Sequence, residues 1–282
     1  MAATIGTPAV IDYSVPGPLT DLGDLAAVVL TAVPADPVEI CRITTGLIVH
    51  PFQAEPLGLP AARLAEQQLR PARSIALAVL KLADSPLDVR REPARRAVGT
   101  CRNFVTLSCA LLRHRGIAAR ARCGFGTYFR SGYGYDHWIT EYWDDAKSRW
   151  VRVDTQHLGS SFVECPADLR PGEFLTGGEA WAAYRAGDLD ASRYGVPGTE
   201  NFGPGEIRGN AIRDLAALNK VEMLPWDEWG RMTASYQGET GPDYDALLDD
   251  VAAVCGAADA PALAGRYALD ELRVPAELLL GA

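Results

Sequence analysis

The sequence predicts an α+β fold in which one long helix packs on an antiparallel sheet, with further helices before and after it. Three observations carry that expectation. Residues 100–115 present a broad apolar face at helical spacing, residues 118–154 break into three strand-like runs, and the signals after 165 turn mainly helical.

Residues 1–40 are rich in Pro and Gly with short apolar runs such as 26–30, a pattern suited to wrapping a core. Residues 40–49 have room for a strand. Over 60–83, Leu64, Leu69, Ile75, Leu77, Leu80 and Leu82 recur at helical spacing, and Pro71 should divide that stretch into two helices. Pro86 and Pro93 make 84–98 a connection. Thr100 is placed as an N-cap, and Phe104, Val105, Leu107, Ala110, Leu111 and Leu112 form the apolar face of the helix it opens. Gly116 sits where a left-handed C-terminal cap belongs, with Ile117 to close it. Strands are expected near 118–129, 137–143 and 150–154, with Asp144-Asp145 and Lys147-Ser148 turning the chain between the last two. Later helices are expected at 179–187, 210–220, 243–254 and 262–272, with an aromatic turn at 225–229.

The 282 residues suffice for one large domain or two small ones and can bury a real core. The reading is a single domain over 1–282, with 86–165 as the core region and 1–85 and 166–282 as wrapping extensions. Hydrophobic residues make up 48% and charged residues 22%, so disorder is not the default. No run of eighteen apolar residues exists to span a membrane, and residues 1–6 lack a basic stretch followed by an apolar one. A cytoplasmic protein is expected, with no membrane or nucleic-acid partner.

Six cysteines stand at 41, 101, 109, 123, 165 and 255, none in CxxC spacing, so reduced thiols are expected and neither a zinc site nor a cofactor is indicated. The net charge is −9 but uneven. Between 90 and 130, ten arginines face one acid, Glu92, giving that stretch +9 and leaving −18 elsewhere. Two readings stand: a solvated basic face, or a positive field for an anionic substrate or partner.

Cys101 falls at the start of a helix, where free N–H groups and partial positive charge favour a thiolate and can also hold an oxyanion. His137 lies in one strand and Asp154 at the end of the next. Whether the hairpin loop has two residues or four, an even count puts His137 and Asp154 on one face of the sheet. A carboxylate can then orient an imidazole beside a thiol.

Gly99-Thr100-Cys101-Arg102-Asn103-Phe104, with Leu111-Leu112-Arg113-His114-Arg115-Gly116-Ile117-Ala118-Ala119-Arg120, resembles the core motif of the transglutaminase-like superfamily. His137-Trp138 resembles its His strand and Trp150-Val151-Arg152-Val153-Asp154 its Asp strand, at intervals of 36 and 17 residues. The resemblance covers roughly 98–156. It implies a papain-like core, with the cysteine helix packed on an antiparallel sheet that bears the His and the Asp. It also implies Cys101 as nucleophile, His137 as base and Asp154 as its orienting carboxylate, with the Cys101 N–H in an oxyanion hole whose second donor lies upstream.

The expected function is cysteine-dependent acyl handling: acyl transfer to an amine, or amide hydrolysis, through a Cys101 acyl-enzyme, on a small or peptidic substrate. Arginines beside Cys101, Arg102 among them, suggest a carrier-protein or coenzyme A thioester as donor. Tyr128, Trp138 and Trp143 are candidates for the cleft wall. Two alternatives remain: an arylamine N-acetyltransferase-like enzyme, and a catalytically silent protein that keeps the fold for binding. His157, three residues after Asp154, is a rival base.

Overall fold

The computed structural model describes residues 11–29 and 33–280. The reading of residues 1–6 and Leu30, the last residue of an apolar run, lie outside the described residues. The core is preceded by α1 (Leu25–Val29), α2 (Pro37–Thr45), β1 (Ile48–Val49), α3 (Pro51–Ala54), α4 (Ala72–Leu82) and β2 (Ala97–Val98). It then consists of α5 (Cys101–His114), β3 (Ala119–Gly126), β4 (Gly134–Asp144), β5 (Arg149–Val153) and β6 (Phe174–Thr176). There follow α6 (Gly177–Ala186), β7 (Tyr194–Gly195), α7 (Pro204–Leu218), α8 (Met232–Tyr236), α9 (Pro242–Ala257), α10 (Ala260–Tyr267) and α11 (Ala276–Leu280).

Most of 40–49 is helix rather than strand, because Asp36 caps the Glu39 N–H at 2.9 Å and Pro37 opens α2, leaving only Ile48 and Val49 extended. Pro71 does divide the next stretch: residues 61–68 form a 3₁₀ helix and α4 begins at Ala72. No helix among the described residues is long and apolar enough to cross a membrane.

The main sheet runs β5-β4-β3-β6 with antiparallel neighbours, and β7 adds in parallel to β4. Asp144 pairs with Arg149 and Trp143 with Trp150, so the β4–β5 loop has four residues, with Ser148 at φ 50°. Every residue of β3 is buried, because the strand is covered on both faces. Ala119, Ala121 and Cys123 face α5 within one apolar cluster that includes Phe104, Leu107, Leu111, Trp138, Val151 and Val153. On the other side α6, α7, α9 and α10 build a second cluster around Trp181, Ile207, Leu215, Tyr244 and Val251.

The arginine-rich stretch is largely turned inward. Arg120 and Arg122 alternate with the small residues of β3 and point to the α7 side. There Glu141 takes Arg120 at 2.6 Å, Arg122 at 3.3 Å and Arg152 at 3.1 Å, and Asp214 of α7 takes Arg122 at 2.7 Å. Arg113 pairs with Glu222 at 2.9 Å, both fully buried, and Arg91 donates to the Ser85, Pro86 and Val89 carbonyls. Arg90, Arg95, Arg115 and Arg130 remain exposed. With Arg96 on the Arg91 carbonyl and Arg102 on the carbonyls of Leu69, Arg70 and Glu222, six of the ten arginines bind the protein's own acids and carbonyls and do not form a solvated basic face.

Candidate active site

The site begins at the mouth of α5. Asn103 accepts from the Thr100 N–H at 3.0 Å and from the Thr100 hydroxyl at 3.1 Å, and its amide donates to the Leu69 carbonyl at 3.0 Å. The first helical turn is thereby tied to the segment ahead of α4. Gly99 permits this approach, since a Cβ there would stand 2.7 Å from Asn103 Cβ. Cys101 is the first helical residue, so its backbone N–H has no place in the helix ladder.

His137 and Asp154 meet across the hairpin. His137 Nε2 lies 3.2 Å from Asp154 Oδ1, close enough for strong attraction although the line of the contact is off that of a hydrogen bond. Cys101 is the other polar neighbour that acts on the imidazole, by hydrogen bonding and by charge. Burial opposes a charge on His137, but Asp154 and Cys101 outweigh it and lift the imidazole pKa to about 10. Burial likewise opposes ionisation of Asp154. His137 and His157 overcome it and hold the carboxyl far below the usual range.

The other thiols are in different surroundings. Burial pushes Cys41 and Cys109 up to about 12 and also raises Cys123 and Cys255. Cys101 instead opens onto two clefts. The larger, about 700 Å³, is bordered by Thr100, Asp136, Glu206, Arg213, Trp226 and Tyr236, among others. The smaller, about 250 Å³, is walled by Phe129, Tyr135, Phe162, His137 and His157.

The structure thus brings Cys101, His137 and Asp154 together. Of the four expected substrate contacts, Tyr128 alone reaches them, donating its hydroxyl to Asp154 Oδ2 at 2.5 Å. Arg102 is fully buried and turned away from the clefts. Its guanidinium donates to the carbonyls of Leu69, Arg70 and Glu222, which makes it an anchor of the helix start and not a substrate contact. Trp138 is packed in the α5 cluster, and Trp143 lies near the hairpin tip against Trp150, bonded to Asp145. Neither borders a cleft.

Sequence reasoning missed two features. His157 Nδ1 lies 2.9 Å from Asp154 Oδ2 and its backbone N–H 3.2 Å from Oδ1, so it shares the carboxylate with His137. The segment from Arg208 to Trp226, read from the sequence only as a helix at 210–220 and an aromatic turn at 225–229, backs the larger cleft. Asn210 donates to Asp136 Oδ1 at 2.7 Å and to the Gly124 carbonyl at 3.2 Å, pinning the residue before His137. Gly209 lets the Tyr236 hydroxyl approach, where a Cβ would stand 2.3 Å from it. No metal site was expected, yet His137, Asp154 and His157 offer ligand atoms all within 4.8 Å of one another. Two of the acceptor positions on Asp154 already serve Tyr128 and His157.

A thiol at a helix N-terminus, an imidazole beside it and a carboxylate behind the imidazole define the arrangement of a papain-like cysteine enzyme. The model of the transglutaminase-like superfamily matches residues 66–155, which hold α4, α5, β3, β4 and β5. That stretch carries the core its motifs resemble. The fold is α+β with a transglutaminase- and papain-like centre, and the match supports a cysteine-dependent enzyme. A crystal structure of a candidate cysteine protease from Cytophaga hutchinsonii aligns at 13% identity with a TM-score of 0.37. The alignment covers 60% of this chain and 48% of that one, about half its length. No curated protein matches the chain.

Proposed function

We propose that the chain is a cysteine-dependent acyl-handling enzyme that takes an acyl group from an amide or ester onto Cys101 and passes it to water or an amine. The observation that supports this most is the position of Cys101: it is the thiol on a helix N-terminus, beside an imidazole backed by a carboxylate, where two clefts meet. The thiolate attacks the carbonyl carbon. His137, protonated through neutral pH, delivers its proton to the leaving group, and the neutral ring then accepts one from the incoming water or amine. Asp154 holds the ring and balances its charge.

The larger cleft narrows the donor. Asp136, Glu200, Glu206 and Glu228 border it, against Arg208 and Arg213. Arg208 is already paired with Asp245 at 3.2 Å. A peptide-like, neutral or cationic donor suits that lining better than a phosphate-bearing thioester.

The test is the pH dependence of iodoacetamide alkylation with peptide mapping, on wild type and His137→Ala. Cys101 should be alkylated much faster than the half-exposed Cys165 at neutral pH, and the variant should lose that advantage. Reaction of Cys101 no faster than Cys165 would sink the enzyme reading and favour the silent binding protein.

A further inference from the structure

The parallel pair β1–β2 places a second histidine beside the nucleophile. Ile48 pairs with Ala97 and Val49 with Val98, and the Gly99 N–H closes on the Val49 carbonyl at 3.0 Å. One strand end therefore runs through Gly99 and Thr100 into Cys101, while the other runs directly into His50. That register sets His50 alongside Gly99 and Thr100, and its ring borders both clefts together with Cys101.

The protonation of His50 follows from its local structure. It caps α3: its Nδ1 accepts the Phe52 N–H at 3.3 Å, and Gln53 returns the bond to the His50 N–H at 3.4 Å. A ring nitrogen that accepts a hydrogen bond carries no proton, so the proton of the neutral ring sits on Nε2. The ring stays neutral because burial, with His137 and His157 nearby, brings its pKa down to about 4. Nε2 has no protein partner among the described residues, and the cap holds it opposite to the backbone that Nδ1 binds.

We propose that His50 Nε2–H is the second oxyanion donor, acting with the Cys101 backbone N–H on the carbonyl oxygen of the acyl substrate. The inference rests on the acyl-enzyme reading. As the thiolate pair forms the S–C bond, the C=O π pair moves onto oxygen and the two N–H groups hold it. When the C=O bond re-forms, the leaving group departs with the proton from His137. A neutral imidazole is suited to this because it polarises a carbonyl without adding a further cation beside His137. The N-cap bond fixes its proton before substrate arrives, so no reorganisation is needed as charge develops.

The experiment compares two reactions of the same thiol in wild type, His50→Ala and His50→Gln. Acylation by p-nitrophenyl acetate, read as the burst of p-nitrophenolate, passes through an oxyanion. Alkylation by iodoacetamide displaces iodide at a saturated carbon and does not. His50→Ala is expected to slow acylation by roughly 10²-fold while leaving Cys101 alkylation within about twofold, and His50→Gln, which restores an N–H donor, should recover a large part of the loss. Acylation at the wild-type rate in His50→Ala would overturn the inference. So would an equal fall in both reactions, which would make His50 a support of the thiol or of the fold. Those outcomes leave the acyl-enzyme reading standing. A wild-type Cys101 that is neither acylated nor selectively alkylated removes that reading and the inference with it.

Discussion

Asp154 divides its two carboxylate oxygens among four neighbouring groups: Oδ1 faces His137 Nε2 and accepts the His157 N–H, and Oδ2 takes His157 Nδ1 and the Tyr128 hydroxyl. Its charge is the main reason that His137 remains an imidazolium despite burial. Asp154→Asn should therefore cut Cys101 acylation by roughly 10³–10⁴-fold and shrink the neutral-pH advantage in alkylation, because only Cys101 then opposes the effect of burial on the imidazole. The sign for folding follows from the same shift. A His137 pKa raised to about 10 adds stability that is full below the unfolded value of about 6.5 and is lost as pH rises through 10. His157 reaches the chemistry through Asp154, so His157→Asn should cost about tenfold or less, given that the Tyr128 hydroxyl and the backbone N–H remain. A loss as deep as that of His137→Ala in the same burst assay would make His157 the base. That Cys101, His137 and Asp154 meet was legible because a helix start and two paired strands have fixed geometry. His157 was not, because its role depends on the turn after β5, where its N–H bonds back to the Asp154 carbonyl at 3.2 Å.

At the scale of elements, periodicity placed α5 and the three central strands to within a few residues, and the hairpin took the longer of its two even loops. What periodicity could not supply was the partner of each face. Arg120 and Arg122 read as surface residues in isolation. Their strand is central, however, and α7, some ninety residues later, brings Asp214 to the face where Glu141 stands opposite Arg120 on one side and Arg152 on the other. Burial works to raise the Glu141 carboxyl, but Arg122, Arg120 and Arg152 bring it down to about 2. Its contribution is present above the unfolded value of about 4.3 and is lost as pH falls toward 2. Glu141→Gln leaves buried guanidinium groups without their shared anion, and urea unfolding at pH 7 should show a loss of about 3–5 kcal/mol. At pH 3 the difference between the two proteins should be clearly smaller. Equal losses at both pH values would mean that packing, not charge, is what Glu141 contributes.

Across the whole molecule the cleft is assembled from distant parts of the chain: the β1–β2 pair, the first turn of α5, the middle of β4, and the α7–α8 wall. Glu206 shows what that wall costs. It lies in the first turn of α7 with 6% of its surface exposed, accepts the Tyr236 hydroxyl at 3.2 Å, and burial raises its pKa to about 7 against the pull of Arg213. A carboxyl whose folded pKa exceeds its unfolded value binds a proton on folding, so stability falls as pH rises from about 4.3 to 7. Above that range the native state holds a buried carboxylate without a close cationic partner. Glu206→Gln keeps the shape and an acceptor for Tyr236 while removing the charge. It should raise stability at pH 8 by up to about 3 kcal/mol and change it little at pH 5, as read from urea unfolding at the two pH values. A variant less stable than wild type at pH 8 would show that Arg213 compensates the carboxylate fully. A more stable one would mark Glu206 as a group held in the cleft against the interest of the fold, which is the pattern expected where a side chain is kept for what it binds.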